Sequence, residues 1–163
     1  MNINNKVFFK DLGLTDYKEA WRFQESLFNS TVKKKLEIRN AEEKSSLQTP
    51  NYLLFCEHPH VFTLGKNGSA NNLLINEASL KLKNASFVKI DRGGDITYHG
   101  PGQIVGYPVL DLENFTPSIR QYVYNLEEAV IRTIEKYGIK GERLEGASGV
   151  WLDKGMPGKT RKI

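Results

Sequence analysis

The residues best equipped for chemistry lie together in Asp91-Arg92-Gly93-Gly94-Asp95-Ile96-Thr97-Tyr98-His99-Gly100-Pro101-Gly102-Gln103. Paired glycines permit positive φ and let a ligand come close to main-chain N–H groups. Arg92 offers a planar fork of donors for a carboxylate, a phosphate or an amide oxygen. His99 can donate or accept near neutral pH, and Gln103 can bond to backbone through both edges of its amide. An ordinary hairpin turn would explain the glycines, but not Arg, Thr, Tyr, His and Gln in the same stretch. The segment is not a nucleotide loop, because neither the Rossmann glycine spacing nor a Gly-Lys-Ser/Thr ending is present.

The apolar pattern places this segment between two strands, Phe87 to Ile90 and Ile104 to Leu110. Earlier strands are expected at Val7-Phe8-Phe9, Tyr52 to Cys56 and Val61 to Leu64, the last two joined by a bend at Glu57-His58-Pro59-His60. Thr15 is placed to cap a helix whose Tyr17, Ala20, Trp21, Leu27, Phe28 and Val32 face the core. Arg39 to Pro50 is polar and aperiodic, as in a loop or a solvated helix end. A second helix opens at Thr116-Pro117, buries a stripe of Ile119, Tyr122, Val123, Leu126, Val130, Ile134 and Tyr137, and ends with Gly138 as its C′ residue. Val150-Trp151-Leu152 is a strand, Asp153-Lys154-Gly155 a turn, and Thr160 to Ile163 the returning partner. This order predicts one α+β domain over residues 1–163, a mixed sheet flanked by helices.

Composition agrees with a globular domain: 39% hydrophobic, 26% charged, in 163 residues. No apolar run approaches the ~20 residues that span a bilayer, and Met1 to Lys6 lacks the apolar core of a signal peptide. The net charge of +4 is confined to one end. Lys154, Lys159, Arg161 and Lys162 follow the last acidic residue, Asp153, and account for all of it. With no basic stripe interleaved with aromatics, nucleic acid is not an expected partner. His58, His60 and His99 lack a carboxylate or cysteine cluster to complete a metal site. Lys33-Lys34-Lys35 is expected to be a solvated helix face, with docking of an acidic carrier as its functional alternative. The single cysteine, Cys56, excludes an internal disulfide and fits a reducing cytosol; in its apolar run Leu53-Leu54-Phe55-Cys56 it is expected to be core.

The chemistry-bearing segment resembles the octanoyltransferases of lipoate biosynthesis. Their signature is Arg-Gly-Gly, two residues, Thr-aromatic-His, three residues, Gln, then a Tyr four further on. Arg92, Gly93, Gly94, Thr97, Tyr98, His99, Gln103 and Tyr107 fill every place. Asp11-Leu12-Gly13 with Tyr17, Trp21 and Gln24 also agree, as do Glu57-His58-Pro59 with Val61, Phe62, Thr63 and Gly65. The resemblance runs from about Asp11 to Ile163. It implies a fold similar to biotin and lipoate protein ligases. It also implies that octanoyl passes from an acyl carrier protein thioester to an enzyme cysteine, then to a lysine of a lipoyl domain. Acceptors of this kind belong to 2-oxo acid dehydrogenases and the glycine cleavage H protein. No cofactor, ATP or metal is implied, and a cytoplasmic monomer is expected.

By the same resemblance, Arg92, Gly93, Gly94, Asp95, Ile96, Thr97, Tyr98 and His99 line the acyl pocket. Lys162, followed by Ile163, matches the catalytic lysine, which activates the cysteine thiol and shuttles its proton. The family's nucleophilic cysteine lies some tens of residues beyond that lysine, and Cys56 does not match it. The chain is therefore expected to be cut short at its C-terminal end, to lack part of the fold, and to be catalytically incomplete. Two other readings stand beside this one: an ATP-dependent lipoate or biotin ligase of the same superfold, and a non-catalytic module that binds an acyl group or a carrier.

Overall fold

The structure, a computed structural model, describes residues 4–41, 47–115 and 118–163. The chain divides into two compact units, Met1–Asp111 and Leu112–Ile163. None of the helices among the described residues is long and apolar enough to cross a membrane.

The first unit holds β1 (Phe8–Leu14), α1 (Tyr17–Asn40), β2 (Tyr52–Glu57), β3 (Val61–Leu64), α2 (Glu77–Leu82), β4 (Ser86–Lys89), β5 (Ile96–His99) and β6 (Val105–Val109). Its strands form two sheets, ordered β1-β2-β6 and β4-β3-β5. Each is mixed: β2 runs parallel to β1 and antiparallel to β6, and β3 runs parallel to β4 and antiparallel to β5. The central strands are the driest, as their apolar runs require, with Leu54 and Val61 each 1% exposed. The bend at Glu57 to His60 carries the chain from one sheet to the other, so β2 and β3 do not pair.

Helix α1 starts one residue later than expected. Thr15 is occupied elsewhere: its N–H donates to Glu57 O at 2.9 Å and its hydroxyl to Leu12 O at 2.8 Å. Asp16 takes over as cap and accepts from the N–H groups of Lys18 and Glu19. The inward face also differs from the expected apolar stripe. Ala20 and Thr31 are buried, while Phe28 and Val32 are exposed. Lys35 also reaches inward because it has a partner there. Lys35 meets Asp111 at 2.5 Å, and Thr49 donates to the other Asp111 oxygen at 2.8 Å. Asn51, fully buried, donates to Asn4 O and Lys6 O at 2.9 and 3.1 Å and accepts from the Asp111 N–H at 3.0 Å.

The second unit holds α3 (Ile119–Glu135), β7 (Glu142–Leu144), β8 (Ala147–Leu152) and β9 (Arg161–Lys162), with an antiparallel sheet ordered β7-β8-β9. The expected opening at Thr116-Pro117 lies outside the described residues; Ser118 caps the helix, its hydroxyl accepting from Gln121 N–H. Gly138, at φ +74, closes it in a Schellman arrangement: Gly138 N–H bonds Glu135 O and Ile139 N–H bonds Ile134 O. The buried stripe expected on α3 is not found. Val123, Leu126 and Val130 are each more than a third exposed, and the helix has no fully buried residue. Ile131 and Ile134 lie against the space beside Gly141 and Val150, on the side of the helix that meets β8. Thr160 to Ile163 does return as expected, pairing Trp151 with Lys162 and Leu152 with Arg161.

Candidate functional site

The expected loop is in part a strand. Ile96–His99 form β5, antiparallel to β3, with Leu64 opposite Ile96, Thr63 opposite Thr97, Phe62 opposite Tyr98 and Val61 opposite His99. Apolar residues at only one of four positions hid this strand from the sequence. Side chains alternate along a strand, so the eight residues grouped in sequence do not share one face. Ile96 and Tyr98 fall on one side of β5, Thr97 and His99 on the other.

Arg92 draws the remaining loop together. Its Nη2 donates toward Thr97 Oγ1 at 2.5 Å, Thr63 Oγ1 at 3.1 Å and Asp95 O at 3.2 Å, and its Nη1 donates to Gly93 O at 2.9 Å. Thr63, fully buried, had no chemical signature within its apolar run. Backbone bonds from Gly65 N–H to Asp95 O and from Lys66 N–H to Arg92 O fasten the loop to the end of β3. A Cβ on Gly65 would lie 2.5 Å from Gly94 O, so that close approach requires glycine. Gly94 itself, at φ +93, occupies backbone space that other residues rarely enter. The Asp95 carboxylate accepts from Asn72 at 2.5 Å, and a Cβ on Gly68 would crowd its other oxygen.

Behind β5 lies a cluster of rings. His58 is fully buried. Its Nδ1 faces Thr15 O at 2.7 Å, which fixes the proton on that nitrogen, and in the neutral ring Nε2 then accepts from the Tyr107 hydroxyl at 2.9 Å. Tyr17 packs against His58 and stacks on His99, with centroids 6.0 Å apart and planes at 16°. His99 Nδ1 bonds Gln103 Oε1 at 2.7 Å, and Glu57 Oε2 accepts from the Gly102 N–H at 2.6 Å. Burial pulls the His99 pKa down, partly countered by the Gln103 bond, with His58 and Arg92 lowering it further. Burial likewise raises the Tyr107 hydroxyl, despite its bond to Gln24, and raises Tyr17 despite the charge of Arg92. Tyr98 turns the other way, its hydroxyl 2.5 Å from His60 Nδ1 and its ring against Phe62. Tyr17 was expected in the core, and neither Tyr107 nor His58 among the residues lining the pocket. The signature spacing joins His99 to Tyr107, but only the fold brings residues 17 and 58 to them.

Cys56 is 3% exposed, and its Sγ lies 3.5 Å from His58 Nε2. Burial, and after it the charge of Asp11, raises its thiol pKa. That is the behaviour of a core cysteine, as expected from its apolar run. No group of three or more potential metal ligands occurs among the described residues.

Lys162 belongs to the second unit. It stands opposite Trp151, with Nζ 5.9 Å from the centre of that ring. Arg143 links β7 to α3, its Nε 3.1 Å from Glu127 and its Nη2 3.0 Å from Glu128.

The lipoyl protein ligase A/B catalytic-domain model matches residues 16–163, a span that includes residues of both units. The octanoyltransferase of Christiangramia forsetii is 59% identical over 161 residues, 99% of this chain and 68% of that protein. That of Flavobacterium johnsoniae is 56% identical with the same coverage. The chain thus spans about two thirds of the length of these curated relatives. Among solved structures, Plasmodium falciparum LipL1 in complex with lipoate superposes with a TM-score of 0.61 at 11% identity, over 91% of this chain and 41% of that one. A bipartite lipoate protein ligase from Thermoplasma acidophilum gives 0.54 at 15% identity, over 99% and 55%. At such identities these two structures establish the fold.

Proposed function

The chain belongs to the lipoyl protein ligase A/B catalytic family, and within it to the octanoyltransferases; from that membership we propose that it serves octanoyl transfer in lipoate biosynthesis. The donor is octanoyl-acyl carrier protein and the acceptor a lysine of a lipoyl domain, of the kind carried by 2-oxo acid dehydrogenases and the glycine cleavage H protein. The setting is the cytoplasm, where the one thiol stays reduced.

In this reading the segment from Arg92 to His99 receives the acyl chain and the thioester carbonyl. The Lys162 amine takes the proton of a cysteine thiol, and the thiolate attacks the carbonyl. The pantetheine C–S bond breaks, and the departing thiolate recovers the proton. The acceptor lysine then attacks the enzyme thioester, forming the amide and releasing the thiol. Cys56 is unsuited to that role because it is buried and its thiol is harder to ionise. It is also the only cysteine of these 163 residues, which therefore supply a loop and a lysine but no competent nucleophile.

The observation that carries the reading is the internal use of Arg92. Both hydrogens of Nη2 and one of Nη1 are committed to the loop and to β3. An arginine spent in this way shapes a pocket for a neutral acyl group, and is poorly available to grip a triphosphate. The test incubates the chain with octanoyl-acyl carrier protein and reads binding by calorimetry and adducts by intact mass. Expected are binding and no stable octanoyl adduct. A stable adduct on this chain would sink the claim of incompleteness, and absence of binding would sink the transferase reading. Release of pyrophosphate from ATP with octanoate or lipoate would replace it with a ligase.

A further inference from the structure

The side chain of Lys162, an exposed residue of β9, extends along β8. Gly149 and Trp151, two residues apart, point to one face of that strand. Trp151 is the direct cross-strand partner of Lys162, and its ring lies beneath the ammonium. Gly149 has φ +106, and a Cβ there would collide with Lys162 Cε and lie 3.0 Å from Nζ. The lysine stem thus occupies the room that a missing side chain leaves.

The glycine is itself fixed. Its N–H donates to Glu127 Oε1 at 2.6 Å, while Glu127 Oε2 accepts from Arg143 Nε. Glu127 is 13% exposed, so this bond is largely shielded from water. Trp151 adds an independent sign. Its Nε1 is buried and has no hydrogen-bond partner among the described residues. Buried indole N–H groups are normally paired, so a leucine or phenylalanine would fill the same space with no orphaned donor. What tryptophan adds is a face presented to a cation, which leucine lacks and which is stronger than that of phenylalanine.

We propose that Gly149 and Trp151 are positioning residues that hold the Lys162 ammonium in one place, with Glu127 anchoring the seat from α3. The inference rests on the reading of Lys162 as the proton carrier and deepens it. A lysine on a flexible four-carbon stem gains reactivity toward a defined partner only when its many rotamers are reduced.

The experiment labels the lysines of the chain with 13C and follows the ε-methylene signal of Lys162, assigned by its loss in Lys162→Arg. In the wild-type chain that signal is expected upfield of the exposed lysines, because the indole ring shields it. Trp151→Phe should retain a smaller upfield displacement. Trp151→Leu and Gly149→Ala should return it to the position of exposed lysines, with the amide spectrum still that of a folded chain. Should either variant fail to fold, the wild-type signal and Trp151→Phe still decide. An undisplaced wild-type signal, or one unaltered by Trp151→Leu in a folded chain, overturns the seat. Acyl transfer from octanoyl-acyl carrier protein to an added small-molecule thiol, wild type against Lys162→Ala, reports separately on the role of the lysine, so the two failures are distinguishable.

Discussion

The Arg92 guanidinium and the Thr97 hydroxyl, five residues apart, meet at 2.5 Å, and Thr63 approaches the same nitrogen from across the β3–β5 ladder. One planar group thereby joins two strands and two loop carbonyls. Lysine carries the same charge but no fork, so it cannot serve these acceptors together. Arg92→Lys is expected to weaken binding of an octanoyl-pantetheine thioester about tenfold, a loss of about 1.4 kcal/mol, by calorimetry. Unchanged affinity would mean that the loop does not receive the acyl group.

Gly65→Ala tests the fastening of the same loop from the opposite side. The added methyl would press on the Gly94 and Arg92 carbonyls, which are backbone and cannot swing away. A loss of about 1–3 kcal/mol is expected from such overpacking, measurable as a lower urea midpoint at constant m-value. Gly93 is a control, since a Cβ there meets nothing within 4 Å. Gly93→Ala should leave the midpoint almost unmoved.

Much of the path to this loop could be read from residue order. Val61–Leu64 forms β3 with the expected bounds, because three apolar residues and a β-branched threonine between Pro59-His60 and Gly65 leave few alternatives. Gly138 ends α3 through the bonds its left-handed φ permits. The misreadings share a physical cause. Ile96–His99 pairs as a strand although three of its four side chains are polar, because Arg92, His60 and Gln103 satisfy Thr97, Tyr98 and His99. Lys35 faces inward on α1, toward Asp111, and Val123 faces out on α3, for reasons that depend on what lies opposite in space. Hydrophobic periodicity reports a preference for burial and is blind to where a partner stands.

Tyr107 and His58 should behave as one unit. Tyr107→Phe removes the hydroxyl donor at His58 Nε2 and leaves that buried nitrogen with only the weak Cys56 thiol at 3.5 Å, at about 1–2 kcal/mol. His58→Ala also strands Thr15 O and opens a cavity, so about 3 kcal/mol is expected. Because the residues touch, the double variant should cost less than the sum of the two. Strict additivity in chemical denaturation would contradict the shared network.

His99 predicts a pH dependence of definite sign. Its folded pKa lies below the ordinary 6.5, chiefly through burial. The unfolded chain therefore binds the proton more readily, and stability rises with pH in the interval below 6.5. The contribution is complete above 6.5 and is lost as pH falls through the lower folded value. Thermal unfolding from pH 7.5 down to pH 5 should show a steeper decline for wild type than for His99→Gln. Parallel curves would remove His99 as the source.

The buried Asn51 carboxamide has a consequence for connectivity. It bonds Asn4 and Lys6 on one side and Asp111 on the other, so the two ends of the first unit meet on a single side chain. Covalent order along that unit is therefore interchangeable in principle. Residues 111 and 4 could be bridged by a short linker and the chain reopened near Leu74, which is 92% exposed, without disturbing a strand pairing. What defines the unit is a closed circuit of contacts, and the place where translation enters that circuit is incidental to it.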